Sequence, residues 1–187
     1  MINKKPGTNN LLAHDHSDLD GLLGELFAAL DAGDVERADE KLDFFWARLA
    51  MHIRAEHLHL FPAILGAFES EKQTKESSAP SFETAQKIIN QLRDDHDFFM
   101  HELISAIKEM RDLRAKNRDA SKRLSQVRET ITAVNRRLET HNELEESEVY
   151  QWIETLLDTP ERAALNERMQ REIDNLPPRF GKSGKVF

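Results

Sequence analysis

Apolar residues recur at alternating spacings of three and four along most of this chain, the period of helices that each bury one face. The pattern predicts a first helix over roughly 10–31, with Asn9 or Asn10 as its cap and the turn Asp31-Ala32-Gly33-Asp34 as its end. A second helix covers about 34–61, with Pro62 and Gly66 punctuating its far end. From Glu69 to Pro80 the sequence is polar, Ser-rich and aperiodic, which predicts the longest loop. A third helix fits 81–116 with Ser81 as a cap, and Asn117 to Asp119 is the expected break before a fourth, about 119–157. Thr159-Pro160 opens a short fifth helix to about 174, and the Pro- and Gly-containing basic tail from Leu176 is expected to be flexible or laid over the rest. The expected fold is all-α, an up-down-up-down four-helix bundle with a short C-terminal fifth helix. Its expected divisions are a disordered leader at 1–9, the bundle at 10–157, and the short helix and flexible tail at 158–187.

Polar residues interrupt every stripe. The first helix offers His16, Leu19, Leu23 and Leu26; the second, Phe45, Leu49, His52 and Glu56; the third, Leu92, His96 and Phe99; the fourth, Leu138, His141 and Glu145. Buried imidazoles and carboxylates are costly unless a compensating charge faces them, and a metal pair supplies it. The spacing repeats: a single His preceded by Asp (Asp15-His16, Asp95-His96), then His-x-x-x-Glu (His52/Glu56, His141/Glu145). Residues four apart share a helix face, so one imidazole can hold an ion while the carboxylate reaches its neighbour. Antiparallel threading brings all six to one level. The assignment that follows gives His16 and His52 to one ion and His96 and His141 to the other, with Glu56 and Glu145 bridging. Imidazole with carboxylate suits iron, manganese, zinc or cobalt alike.

Composition narrows the picture. The chain has 187 residues, enough for one sizeable core, and a formal net charge of −8 that argues against a nucleic acid or an anionic membrane as partner. It lacks Cys, which leaves nitrogen and oxygen as the strong metal donors. The opening MINKKPGTNN has no apolar core of a signal peptide, so the expected location is the cytoplasm. His59 and Glu148 are read as helix-end groups reaching solvent, and His14, His57 and His101 as surface residues. Asp15 and Asp95 can orient an imidazole or serve a helix dipole. Tyr150, five residues beyond Glu145, is read as packing, with a redox role beside the metals as the alternative, and Phe61 and Phe99 are read as packing. A ferritin-like carboxylate site needs two Glu-x-x-His motifs, and only Glu56/His59 matches; the counterpart of Glu145 is Glu148.

With these residues in place the chain resembles the hemerythrin-like, or HHE cation-binding, family over roughly 11–157. His52-Ile-Arg-Ala-Glu56 followed by Leu60-Phe61-Pro62 looks like that family's His-x-x-x-Glu and Leu-Phe-Pro, and His141-Asn-Glu-Leu-Glu145-Glu146 looks like its second copy. The resemblance implies a four-helix bundle around two non-haem iron ions, bridged by oxygen and carboxylates, with His16, His52, Glu56, His96, His141 and Glu145 as ligands. Met100 stands where oxygen carriers have a second His, so the chain is closer to members with four His and two Glu. The implied function is binding of dioxygen, nitric oxide or iron, for sensing, storage or detoxification. The alternatives are an oxidase or peroxidase-like enzyme on the same centre and a metal-free helical interaction domain.

Overall fold

A computed structural model describes residues 8–70, 80–116 and 120–180. Every regular element among them is helical: α1 (Thr8–Asp31), α2 (Val35–Ala55), α3 (Phe61–Glu69), α4 (Phe82–Lys116), α5 (Ala120–Leu144), α6 (Tyr150–Leu156) and α7 (Thr159–Ile173). A π-helical turn, Glu56–Leu60, joins α2 to α3, a second, Glu145–Val149, joins α5 to α6, and a 3₁₀ turn spans Pro178–Phe180. Helix α1 packs on α2, α2 on α4, α4 on α5, and α5 returns to α1, closing the predicted four-helix bundle. Among the described residues no helix is long and apolar enough to cross a membrane.

The turn between α1 and α2 forms where the sequence places it. Asp34 N–H donates to the Ala29 carbonyl and Gly33 N–H to that of Leu30, the double closure of a Schellman motif, with Gly33 at a φ of +70°. Asp34 then caps α2, accepting from Arg37 N–H at 3.1 Å. Ser81 caps α4 through Thr84 N–H, and Asp158 forms a capping box with Glu161 at the start of α7.

Two expectations need correction. Asn9 and Asn10 lie inside α1, which begins at Thr8, so neither is its cap. The second helix also does not stop at Pro62 but runs on as α3 through Pro62 and Gly66 to Glu69. The π turn explains the passage. An uninterrupted α-helix would press the Pro62 ring against the Leu58 carbonyl, whereas here the chain is wound wider just before it, Phe61 N–H donating to Glu56 five residues back.

Helix α7 packs across α2 and α1. The tail beyond it lies on α2: Arg179 donates to Asp43 at 2.9 Å and the Phe180 ring meets Phe44. Of the leader expected at 1–9, Thr8 and Asn9 belong to α1, and residues 1–7 lie outside the described residues, as do 71–79 of the expected loop, 117–119 of the expected break and 181–187 of the tail.

The buried interior consists of two apolar clusters. One holds Leu19, Leu26, Phe45, Leu49, Phe99, Leu103 and Leu138; the other holds Leu12, Leu60, Ile64, Ile89, Leu92, Trp152 and Leu165. Along each long helix the chain passes from one cluster to the other, and a polar residue marks the crossing.

Candidate metal centre

The crossing point gathers His16, His52, Glu56, His96, His141 and Glu145, each 3% exposed or less. All six groups singled out in the sequence meet there. His16 Nε2 lies 3.2 Å from His52 Nε2, and His96 Nε2 lies 3.0 Å from His141 Nε2. Between these pairs stand the two carboxylates. Glu56 turns Oε1 to His52 (3.4 Å) and Oε2 to His96 (3.3 Å); Glu145 turns Oε2 to His16 (3.3 Å) and Oε1 to His141 (3.2 Å). Each carboxylate thus divides its oxygens between the two imidazole pairs.

The donor set fits metal ions. Groups bound at roughly 2.0–2.2 Å to one ion lie about 3.0–3.4 Å apart, the spacing found within each set. Glu56 Oε2 and Glu145 Oε1 are fully buried and accept no well-aligned hydrogen bond, although an imidazole nitrogen is near each. Oxygens and nitrogens that approach without aiming at each other are arranged to share a third centre. Two groups of donors close enough for one ion each emerge, Glu56, His96, His141 and Glu145 in one, and His16, His52 and Glu145 in the other.

Every imidazole is also held from behind. His52 Nδ1 donates to Asp15 (2.8 Å) and His141 Nδ1 to Asp95 (3.2 Å), while His16 Nδ1 donates to Glu146 (2.9 Å) and His96 Nδ1 pairs with His57 Nε2 (2.9 Å). Such partners keep the proton on Nδ1 and leave Nε2 for an ion. Asp15 and Asp95 sit well inside their helices, so the orienting role is the one they fill. Arg48 pairs with the other oxygen of Asp15, and Arg137 with that of Asp95 at 2.6 Å.

Charge balance follows from these contacts. Burial works against charged imidazole, yet Glu145, the bond to Asp95 and Glu56 outweigh it and push His141 up to about 10. His52 is raised well above its ordinary value in the same way, against burial, by Glu56 and Asp15. Burial opposes the Glu145 carboxylate too, but His141 and His16 hold it well below the usual range. His52 and His141 thus favour the charged imidazole beside the carboxylates of Glu56 and Glu145.

Sequence reasoning missed several members. Tyr150, read as packing, brings its hydroxyl into the cluster, 3.1 Å from Glu145 Oε2 and 3.2 Å from His16 Nε2. The missed signal is the π turn that gives a spacing of five its meaning: Tyr150 N–H donates to the Glu145 carbonyl, and Phe61 N–H to that of Glu56, so each turn carries the fifth residue inward where α periodicity does not. His57, read as surface, is half-buried against His96, and Glu146 supports His16 in the corresponding position on the other half. Arg48 and Arg137, each four residues before a cluster His, had no signal beyond that shared spacing. His14, His101 and Glu148 are exposed as expected, and His59 lies toward Glu172 of α7, outside the cluster.

Comparison with curated proteins and with solved structures gives no match. The sequence does match the Hemerythrin HHE cation binding domain over residues 8–153, a span that contains both His-x-x-x-Glu motifs, both single histidines and Tyr150. A four-helix bundle with a buried cluster able to hold metal, matched over most of its length, belongs to the hemerythrin HHE cation binding domain family.

Proposed function

We propose that this is a non-haem di-iron protein that binds dioxygen, nitric oxide or iron itself in the cytoplasm, in sensing, storage or detoxification. His16 and His52 hold one ion, His96 and His141 the other, and Glu56 and Glu145 bridge them. The observation that carries this reading is the division of each glutamate's two oxygens between the imidazole pairs, which suits two ions side by side. Iron bound there supplies open coordination positions and a change of oxidation state. The chain itself supplies rigid imidazoles, fixed from behind by Asp15, Asp95, Glu146 and His57, and apolar walls above and below. Donors no more than 3% exposed favour a diatomic ligand or an ion over a bulky organic substrate. That burial weighs against an oxidase of large molecules.

Anaerobic loading with ferrous iron, followed by metal analysis and an ultraviolet-visible spectrum, tests the centre. About two ions per chain are expected, with His52→Ala losing at least one; less than one ion per chain, unchanged by that substitution, sinks the reading. Stopped-flow mixing of the di-ferrous protein with oxygen then separates roles. An adduct that releases oxygen on evacuation supports binding, and rapid irreversible oxidation supports redox turnover instead.

A further inference from the structure

The two halves of the bundle repeat each other closely up to the bridging glutamates and then diverge. Five residues beyond Glu56 stands Phe61; five beyond Glu145 stands Tyr150. Both are carried inward by a π turn and both are fully buried. The Phe61 ring stacks on His96 at 6.0 Å between centroids and offers that imidazole pair no polar atom. Tyr150 directs its hydroxyl at the other pair: 3.1 Å from Glu145 Oε2, 3.2 Å from His16 Nε2 and 3.4 Å from Glu56 Oε1.

Those three spacings fall in the same range as the spacings among the donor atoms themselves, 3.0 to 3.4 Å. A hydroxyl placed for one hydrogen bond approaches one acceptor and stands off from the rest. This oxygen is nearly equidistant from three donor atoms, two of which belong to His16 and Glu145, the residues grouped with His52 closely enough to hold one ion. Resting on the di-metal reading above, we propose that Tyr150 is a further protein ligand of the ion of His16 and His52 and of that ion alone, its phenol giving up its proton to the buffer as the cation binds and coordinating as the phenolate. The two positions are then inequivalent. One would have a phenolate among its donors, while the other would have the apolar Phe61 ring beside it.

Tyr150 is the single tyrosine of the chain, so a phenolate signal has one source. The full-length protein is loaded with ferrous iron, oxidised, and examined by metal analysis, visible absorption and resonance Raman. A phenolate-to-iron(III) charge-transfer band with enhanced phenol-ring vibrations is expected. In Tyr150→Phe the band disappears while both ions stay bound. Titration with cobalt(II) as a redox-inert probe is expected to show one of two binding steps weakened roughly tenfold or more in that variant, with the other unmoved. A wild-type protein holding two irons without the phenolate signature overturns this inference and leaves the di-iron reading standing, as does a band that persists in Tyr150→Phe. Failure to bind iron at all removes both. Because the wild-type spectrum is decisive alone, the outcome does not depend on how well the variant folds.

Discussion

His52 and His141 each donate Nδ1–H to an aspartate that an arginine four residues before the histidine grips from the other side, so each imidazole ends an Arg–Asp–His chain with the aspartate at its middle. Fixing the ring in this way removes a rotation that an incoming ion would otherwise have to freeze. Asp15→Asn or Asp95→Asn is expected to weaken metal binding roughly 10- to 100-fold with helix content unchanged, measured by competition against a chelator. The same network dictates how the metal-free protein responds to pH. His52 and His141 are raised above the ordinary histidine value of 6.5, so their contribution to stability is fully present below about pH 6.5 and is lost as pH climbs through the raised values, about 10 for His141. Glu145, held low, adds a loss on the acid side as pH falls below the ordinary carboxylate value of 4.5. Urea midpoints of chelator-treated protein should therefore fall between about pH 6.5 and pH 10, while the metal-loaded protein, whose imidazoles carry no second proton, keeps its midpoint over that window. The six cluster residues were legible in the sequence because each breaks an apolar stripe. Arg48 and Arg137 break nothing: an arginine beside a buried aspartate reads, in one dimension, like any surface charge.

At the scale of elements, the α1–α2 turn was legible because its chemistry is local. Only Gly accepts the left-handed conformation at position 33 without strain, and the Asp that follows caps the next helix. Gly33→Ala is expected to destabilise the fold by about 1–2 kcal/mol, seen as a lower denaturant midpoint with metal stoichiometry unaffected. The π turns were not legible, since a stripe written at spacings of three and four assumes the α period throughout. Pro62 was read as a stop for the same reason. Where Glu56 and Glu145 are each followed by a wider turn, the residue five positions on takes the place that α spacing gives to the fourth, and this is how Tyr150 and Phe61 reach the cluster from positions that pattern reading assigns to packing.

In the whole molecule, up-down-up-down threading brings the early parts of α1 and α4 level with the far ends of α2 and α5, so the four helices cross from one apolar cluster to the other at a single height. That level was legible, because the order of His and His-x-x-x-Glu along the chain has only to be folded antiparallel to yield it. The cover provided by α7 was not, since its apolar face has no partner identifiable from spacing alone; it settles across α2 and α1, and the tail follows it onto α2. A charged stratum with hydrocarbon on either side has a consequence for how the protein comes apart. Two half-cores that meet across ion pairs are coupled only as strongly as that seam, and binding cations there welds them into one cooperative unit. Calorimetry of the chelated protein should give a broad transition with a calorimetric enthalpy above the van't Hoff value, converging on a single sharp two-state transition once metal is restored. Equal cooperativity in both forms would mean that the apolar clusters communicate without the ions. If the seam behaves as its charges indicate, the supply of metal decides whether this bundle melts as one body or two.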